Sequence, residues 1–234
     1  IDSSKAEGLK DSLKKKSGIK HVEDAVHREE LAEKILASQN MDESTKAGML
    51  EALRSKSKIR FVEDAVNRSG LEDKVKQSII LSEGEKEGYV EMLKDKDRVS
   101  IVEEMMHRDD LLQKLNASEN IDESTKEGLR ESLKSKHKVH QVEDAVSRSE
   151  LEDKVKRSTI LDEGQKEGYV EMLKDKDRVS LVKEMVHRDD LLNRLNASEN
   201  IDESTKEGLR ESLNQKSGVR FVEDAVHRSD LEVK

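Results

Sequence analysis

Residues 121–160 read IDESTKEGLRESLKSKHKVHQVEDAVSRSELEDKVKRSTI, and variants of this 40-residue phrase fill the chain. Ile1, Met41, Leu81, Ile121, Leu161 and Ile201 open six units: 1–40, 41–80, 81–120, 121–160, 161–200 and the shorter 201–234. In each a glycine follows seven places later (Gly8, Gly48, Gly88, Gly128, Gly168, Gly208), and an arginine closes the middle of the phrase at Arg28, Arg68, Arg108, Arg148, Arg188 and Arg228. A repeat of about 20–50 residues marks a solenoid, propeller or array, because one unit cannot bury its apolar face alone and neighbours must stack.

Within the quoted unit the periodicity is helical. Leu129 and Leu133 lie four apart, and Val139, Val142 and Val146 follow a three-then-four rhythm. The chain has no proline, so the boundaries rest on capping residues and glycine. Ser82 with Glu85 and Asp162 with Gln165 have capping-box spacing, and Ser124 with Glu127 offers another register. A second set of start signals falls at Ser17, Ser57, Asp97, Asp177 and Ser217, and a third at Ser69, Asp109, Ser149, Asp189 and Ser229. The five-residue step from Val146 to Leu151 breaks the stripe and predicts a bend. The expected helices are 123–136, 138–147 and 150–157.

A longer period overlies the first. Residues 81–133 match 161–213 with only seven differences, so two flavours of unit alternate at an offset of 80 residues. The units at 81 and 161 are richer in apolar residues: Val90, Met92, Ile101, Met105 and Leu112 recur as Val170, Met172, Leu181, Met185 and Leu192. At the equivalent places the unit at 121 has Arg130, Ser132, Gln141, Ala145 and Glu152. An extra apolar face at this spacing covers either a wider intramolecular core or a contact with another chain. The expected fold is thus all-α: tandem three-helix repeats of 40 residues, stacked as an elongated α-solenoid or helical rod with an 80-residue super-repeat. In length and helix content the unit resembles armadillo and HEAT repeats, but it has neither their turn proline nor an asparagine ladder.

Composition narrows the function. With 32% hydrophobic and 41% charged residues the chain borders on disordered composition, and only the fixed apolar spacing argues for a fold. Cysteine is absent, which removes disulfides and thiolate metal sites. No apolar run is long enough to span a membrane. The net charge of -9 and the scarcity of aromatic residues argue against nucleic acid. His27, His107, His187 and His227 lie one or more repeats apart, and no catalytic constellation stands outside the repeat. The sequence therefore points to no enzyme, no metal and no cofactor.

The recurrent glycine costs roughly 1 kcal/mol relative to alanine inside a helix, so its recurrence predicts close helix contact, the alternative being hinges that make the array elastic. The recurrent arginine follows an acid by four residues, as in Asp24 with Arg28 and Glu104 with Arg108, which predicts a pair on one helix face, the alternative being an arginine ladder that binds an anionic ligand. Asn67, Asn116 and Asn196 stand in N-x-Ser frames, which incline the reading toward an extracellular or cell-surface setting. The first and last units carry no distinct caps, so the chain is expected either to continue in a longer array or to associate with itself, end to end or laterally. The expected role is a structural or scaffolding repeat protein: a spacer, a stalk or a self-assembling filament segment. The alternative is a binding solenoid that presents a concave surface to a peptide or protein.

Overall fold

The computed structural model describes residue 12, residues 19–213, residue 215 and residues 218–233; Gly8, Ser17 and Ser217 lie outside them. The described residues form no strand. In chain order the α-helices are α1 (Ile19–Ala37), α2 (Glu43–Ala52), α3 (Ile59–Gln77), α4 (Glu83–Met92), α5 (Val99–Ala117) and α6 (Glu123–Leu133). They continue as α7 (Val139–Arg157), α8 (Glu163–Met172), α9 (Val179–Ala197), α10 (Glu203–Leu213) and α11 (Val219–Val233). The chain divides into two compact bodies, Ile1–Asp110 and Leu111–Lys234, each containing the same regularly spaced helices. The all-α repeat array expected from the sequence is the observed fold.

The interior of the unit differs from the expectation. A short helix of 10 or 11 residues leads through a 3-10 turn (Lys56–Lys58, Lys96–Arg98, Lys136–Lys138, Lys176–Arg178) into a long helix of 19 residues. The helices expected at 138–147 and 150–157 are one continuous helix, α7, with no bend between Val146 and Leu151. Ser149 is the reason. It is buried and continues the inward face of Val142 and Val146 at the next helical step, so the stripe is unbroken although one of its members is polar. Ser69, Asp109, Asp189 and Ser229 are buried in the same way and cap nothing.

The starts of the short helices follow the predicted chemistry in the apolar-rich units. Ser82 and Glu85 form a complete capping box, as do Asp162 and Gln165. In the leaner units the register suggested by Ser124 gives way to Asp122, whose carboxylate accepts from the Thr125 backbone N–H (3.0 Å) and hydroxyl (2.7 Å). Asp42 and Asp202 repeat this arrangement with Thr45 and Thr205. Around the 3-10 turns, Asp95 and Asp175 accept from the N–H groups of Asp97 and Asp177, so the predicted start residues lie inside the turn rather than ahead of it.

Each core crosses a unit boundary. Leu31 and Ile35 at the end of α1 pack with Ala52 and Leu53 of the next short helix and Val62 of the next long one. Within the second body, Leu111 and Leu115 meet Leu133, Val142 and Val146, and Leu191 and Leu195 meet Leu209, Leu213, Val222 and Val226. Full burial of such an aliphatic side chain contributes roughly 1.5–3 kcal/mol, and here each cluster draws two of its buried residues from one unit and the rest from the next. No unit is complete by itself, as the repeat logic requires.

Candidate functional site

The features that recur with the repeat are the junctions between consecutive units, and they come in two kinds. In the first, the turn after a long helix places a serine and an asparagine against the next long helix. Ser118 Oγ hydrogen-bonds Ser149 Oγ (2.6 Å), and Asn120 Nδ2 donates to the Ser149 carbonyl (3.3 Å) and to Asp153 Oδ1 (2.7 Å). Lys156 Nζ donates to Asn120 Oδ1 (2.6 Å) and closes the latch. The set formed by Ser38, Asn40, Ser69, Asp73 and Lys76 is the same, and Ser198, Asn200 and Ser229 repeat its core.

In the second kind the asparagine is an isoleucine. Ser78 and Ser158 turn inward to accept from the Ile80 and Ile160 backbone N–H groups (3.4 and 3.3 Å), and buried Asp109 and Asp189 occupy the place of Ser149. Each of these aspartates keeps one buried carboxylate oxygen without a hydrogen-bond partner. The polar latch is replaced by apolar packing: Tyr89, Val90, Met92 and Met105 lie partly buried on the cluster of Leu71, Val75, Leu81, Leu93, Val102 and Met106. Tyr169, Val170, Met172 and Met185 do the same around Leu151, Val155, Leu173, Val182 and Val186. This is the physical content of the 80-residue alternation.

Both kinds of junction share a side-chain ladder between neighbouring long helices. His27 Nε2 meets Glu63 (2.7 Å), Asn67 Nδ2 donates to Glu103 (2.9 Å), and His187 Nε2 meets Glu223 (2.6 Å). One helical turn or two further along, Lys74 pairs with Asp110 (3.2 Å), Lys114 with Glu150 (2.9 Å) and Arg194 with Asp230. All these groups are substantially exposed, where a pair contributes about 0–1 kcal/mol. The ladder therefore fixes register more than stability. His27 and His187, which lie in different repeats, thus bind carboxylates of the neighbouring long helix.

Charge at the boundary between units is arranged around helix ends. Lys126 and Lys206, both buried, direct their ammonium groups to the carbonyls of Asn116 and Asn196 at the end of the preceding long helix (3.5 and 3.4 Å), where the helix dipole favours a cation. Arg130 and Arg210 each donate twice to the side-chain oxygen of Asn116 and Asn196 and also bind Glu123 and Glu203. Their hydrogen bonds hold both glutamates below the usual carboxylate range. Asp122 and Asp202 are held low chiefly by the threonine hydroxyl and Asp42 chiefly by the Thr45 backbone N–H. The three N-x-Ser asparagines are thus helical residues engaged in side-chain hydrogen bonds rather than loop acceptors.

The residues singled out from the sequence divide sharply. The glycines Gly48, Gly88, Gly128, Gly168 and Gly208 are exposed, and a Cβ built on any of them meets nothing within 4 Å. The close helix approach expected of them is not made within the described residues, so packing inside this chain does not require glycine there. Of the candidate apolar face, Val90, Met92, Met105, Val170, Met172 and Met185 belong to intramolecular packing, and Leu112 and Leu192 pack on the cores at the ends of α5 and α9. Only Ile101 and Leu181 project outward, with 51% and 54% exposure. Phe61 and Phe221 stand at the same repeat phase and are exposed as well, a feature their 40-residue spacing from Ile101 and Leu181 already signals.

The arginine pairs are partly as expected. Arg108 and Arg188 bind Glu104 and Glu184 (2.7 and 2.8 Å), whereas Arg68 donates to the Asp64 carbonyl and the Asp24 and Asp64 carboxylates meet Lys56 and Lys96 of the following unit (3.6 and 3.9 Å). Among the described residues no three metal-ligating side chains converge, and no helix is long and apolar enough to cross a membrane. No protein-family model matches the chain, and no curated protein is significantly similar to it.

Proposed function

We propose that the protein is a structural repeat scaffold, a spacer, stalk or filament segment whose length is set by the number of units. The observation that carries this reading is recurrence along the array: the serine pair and the asparagine contact are made again at every second unit boundary, and the long-helix ladder runs across both kinds of junction. Such a contact is heterologous, with the trailing surface of one unit meeting the leading surface of the next, and it propagates wherever a further copy is available. The partner proposed is therefore another array of the same repeats. No catalytic role forms part of the proposal.

Electron microscopy of the purified chain, with sedimentation velocity over a wide concentration range, tests it. Extended particles that join at high concentration support the reading; a compact particle that stays monomeric at every concentration overturns it.

A second reading draws on a separate observation. Phe61 and Ile101 in one body, and Leu181 and Phe221 in the other, expose large apolar surface at one repeat phase near the start of the long helices. That pattern favours docking of a protein partner. Replacing Phe61 and Phe221 by serine distinguishes the two: it abolishes capture of such a partner and leaves head-to-tail association intact.

A further inference from the structure

Of the seven differences between residues 81–133 and 161–213, one reverses charge: Glu103 corresponds to Lys183. In the first body Glu103 accepts a hydrogen bond from Asn67, Lys96 pairs with Asp64, and Arg68 donates to the Asp64 carbonyl. In the second body Ser147 takes the place of Asn67 and Lys183 takes the place of Glu103. Arg148, Lys176 and Lys183 then make no ion pair with any described residue. They surround a cleft of about 290 Å³ between α7 and the start of α9, completed by Asp144, Ser147 and Ser180.

Three cations face one carboxylate across this cleft. Concave placement concentrates their field on one volume, and the two serine hydroxyls add directional donors. Cations spread over two helices and a turn suit a tetrahedral anion with several acceptor oxygens better than a two-oxygen carboxylate. We infer that the cleft between α7 and α9 binds a phosphate-type oxyanion, either free phosphate or a phosphomonoester carried by another molecule. In every other unit the position equivalent to Lys183 carries a glutamate (Glu23, Glu63, Glu103, Glu143, Glu223), which would repel such a ligand.

Isothermal titration calorimetry on the whole chain, with inorganic phosphate and with O-phosphoserine, reads the site directly. Lys183→Glu restores the residue that the related unit already tolerates, and circular dichroism checks that helix content is kept. Binding by the wild type that weakens about tenfold or more in Lys183→Glu, and falls with added salt, is the expected result. Equal affinity for the two titrants identifies free phosphate as the ligand form, and tighter binding of O-phosphoserine identifies a phosphomonoester. Absence of binding by the wild type, or binding unchanged in Lys183→Glu, overturns the inference. Should Lys183→Glu lose helix content, Lys183→Gln gives the same comparison without the new carboxylate.

Discussion

The junction at Asn120 and the junction at Ile160 connect units of the same length and the same helix order, yet they hold together by different means. The first encloses a small polar network in which each donor of the Asn120 amide has an acceptor. The second dispenses with the network, leaves one oxygen of Asp189 unpartnered and broadens the apolar contact with Tyr169, Val170 and Met172. The fully buried position near the end of the long helix follows suit: Ile35, Leu115 and Leu195 precede the polar latches, and Val75 and Val155 precede the apolar junctions. A larger side chain thus accompanies the leaner short helix, and a smaller one accompanies the richer. One geometry is satisfied by two compositions, and alternating them gives each unit a leading face unlike its trailing face.

The largest expected effect comes from that buried position. Leu195→Ala should cost about 2–5 kcal/mol, and Val155→Ala, which removes less, should cost less; urea unfolding midpoints measure both. Equal losses would show that the two junctions do not divide their apolar packing as described. Next comes the latch. Asn120→Ile leaves the Asp153 carboxylate without the Asn120 amide and should cost about 1–3 kcal/mol, while Ile160→Asn meets Asn193 and Asn196 in place of Asp153 and Lys156 and does not restore the full latch. Thermal melts of the two single variants and their combination separate the contributions.

Smaller effects sharpen the picture of the exposed short helices. Gly168→Ala should raise stability by about 0.5–1 kcal/mol, since the position is helical and open. A loss of stability would reveal a contact that glycine alone permits. The acid dependence of the aspartate caps is smaller again. Asp42, Asp122 and Asp202 have folded values below the ordinary 3.8, so their contribution is present above that pH and is lost as pH falls through the lowered folded value. Asp122→Asn keeps a capping oxygen without the carboxylate, so melting curves at pH 5 and pH 3 should differ less for the variant than for the wild type.

The repeat, its helical character and the 80-residue alternation were legible in the sequence because unit-to-unit comparison exposes positions that recur. Ser82 with Glu85 and Asp162 with Gln165 were legible for the same reason a cap is local: both partners lie three residues apart. The long helix was misread because Ser69, Ser149 and Asp189 have the chemistry of caps. The partners of Ser69, Ser149 and Ser229 lie 31 residues earlier in the chain, at Ser38, Ser118 and Ser198, and only the fold brings them together. The glycines misled in the opposite direction, since recurrence alone does not say which side of a helix a residue occupies.

Amide hydrogen exchange on two internal deletions tests the alternation most directly. Removing residues 81–160 joins Ile80 to a unit that carries Asp189, as Ile160 is joined in the intact chain. Removing residues 121–160 sets Asn120 against Asp189 and mismatches the two kinds of junction. Protection at the fused junction should match the intact chain in the 80-residue deletion and be lost in the 40-residue one. Equal protection in both would contradict the claim that two distinct, alternating junctions build this array.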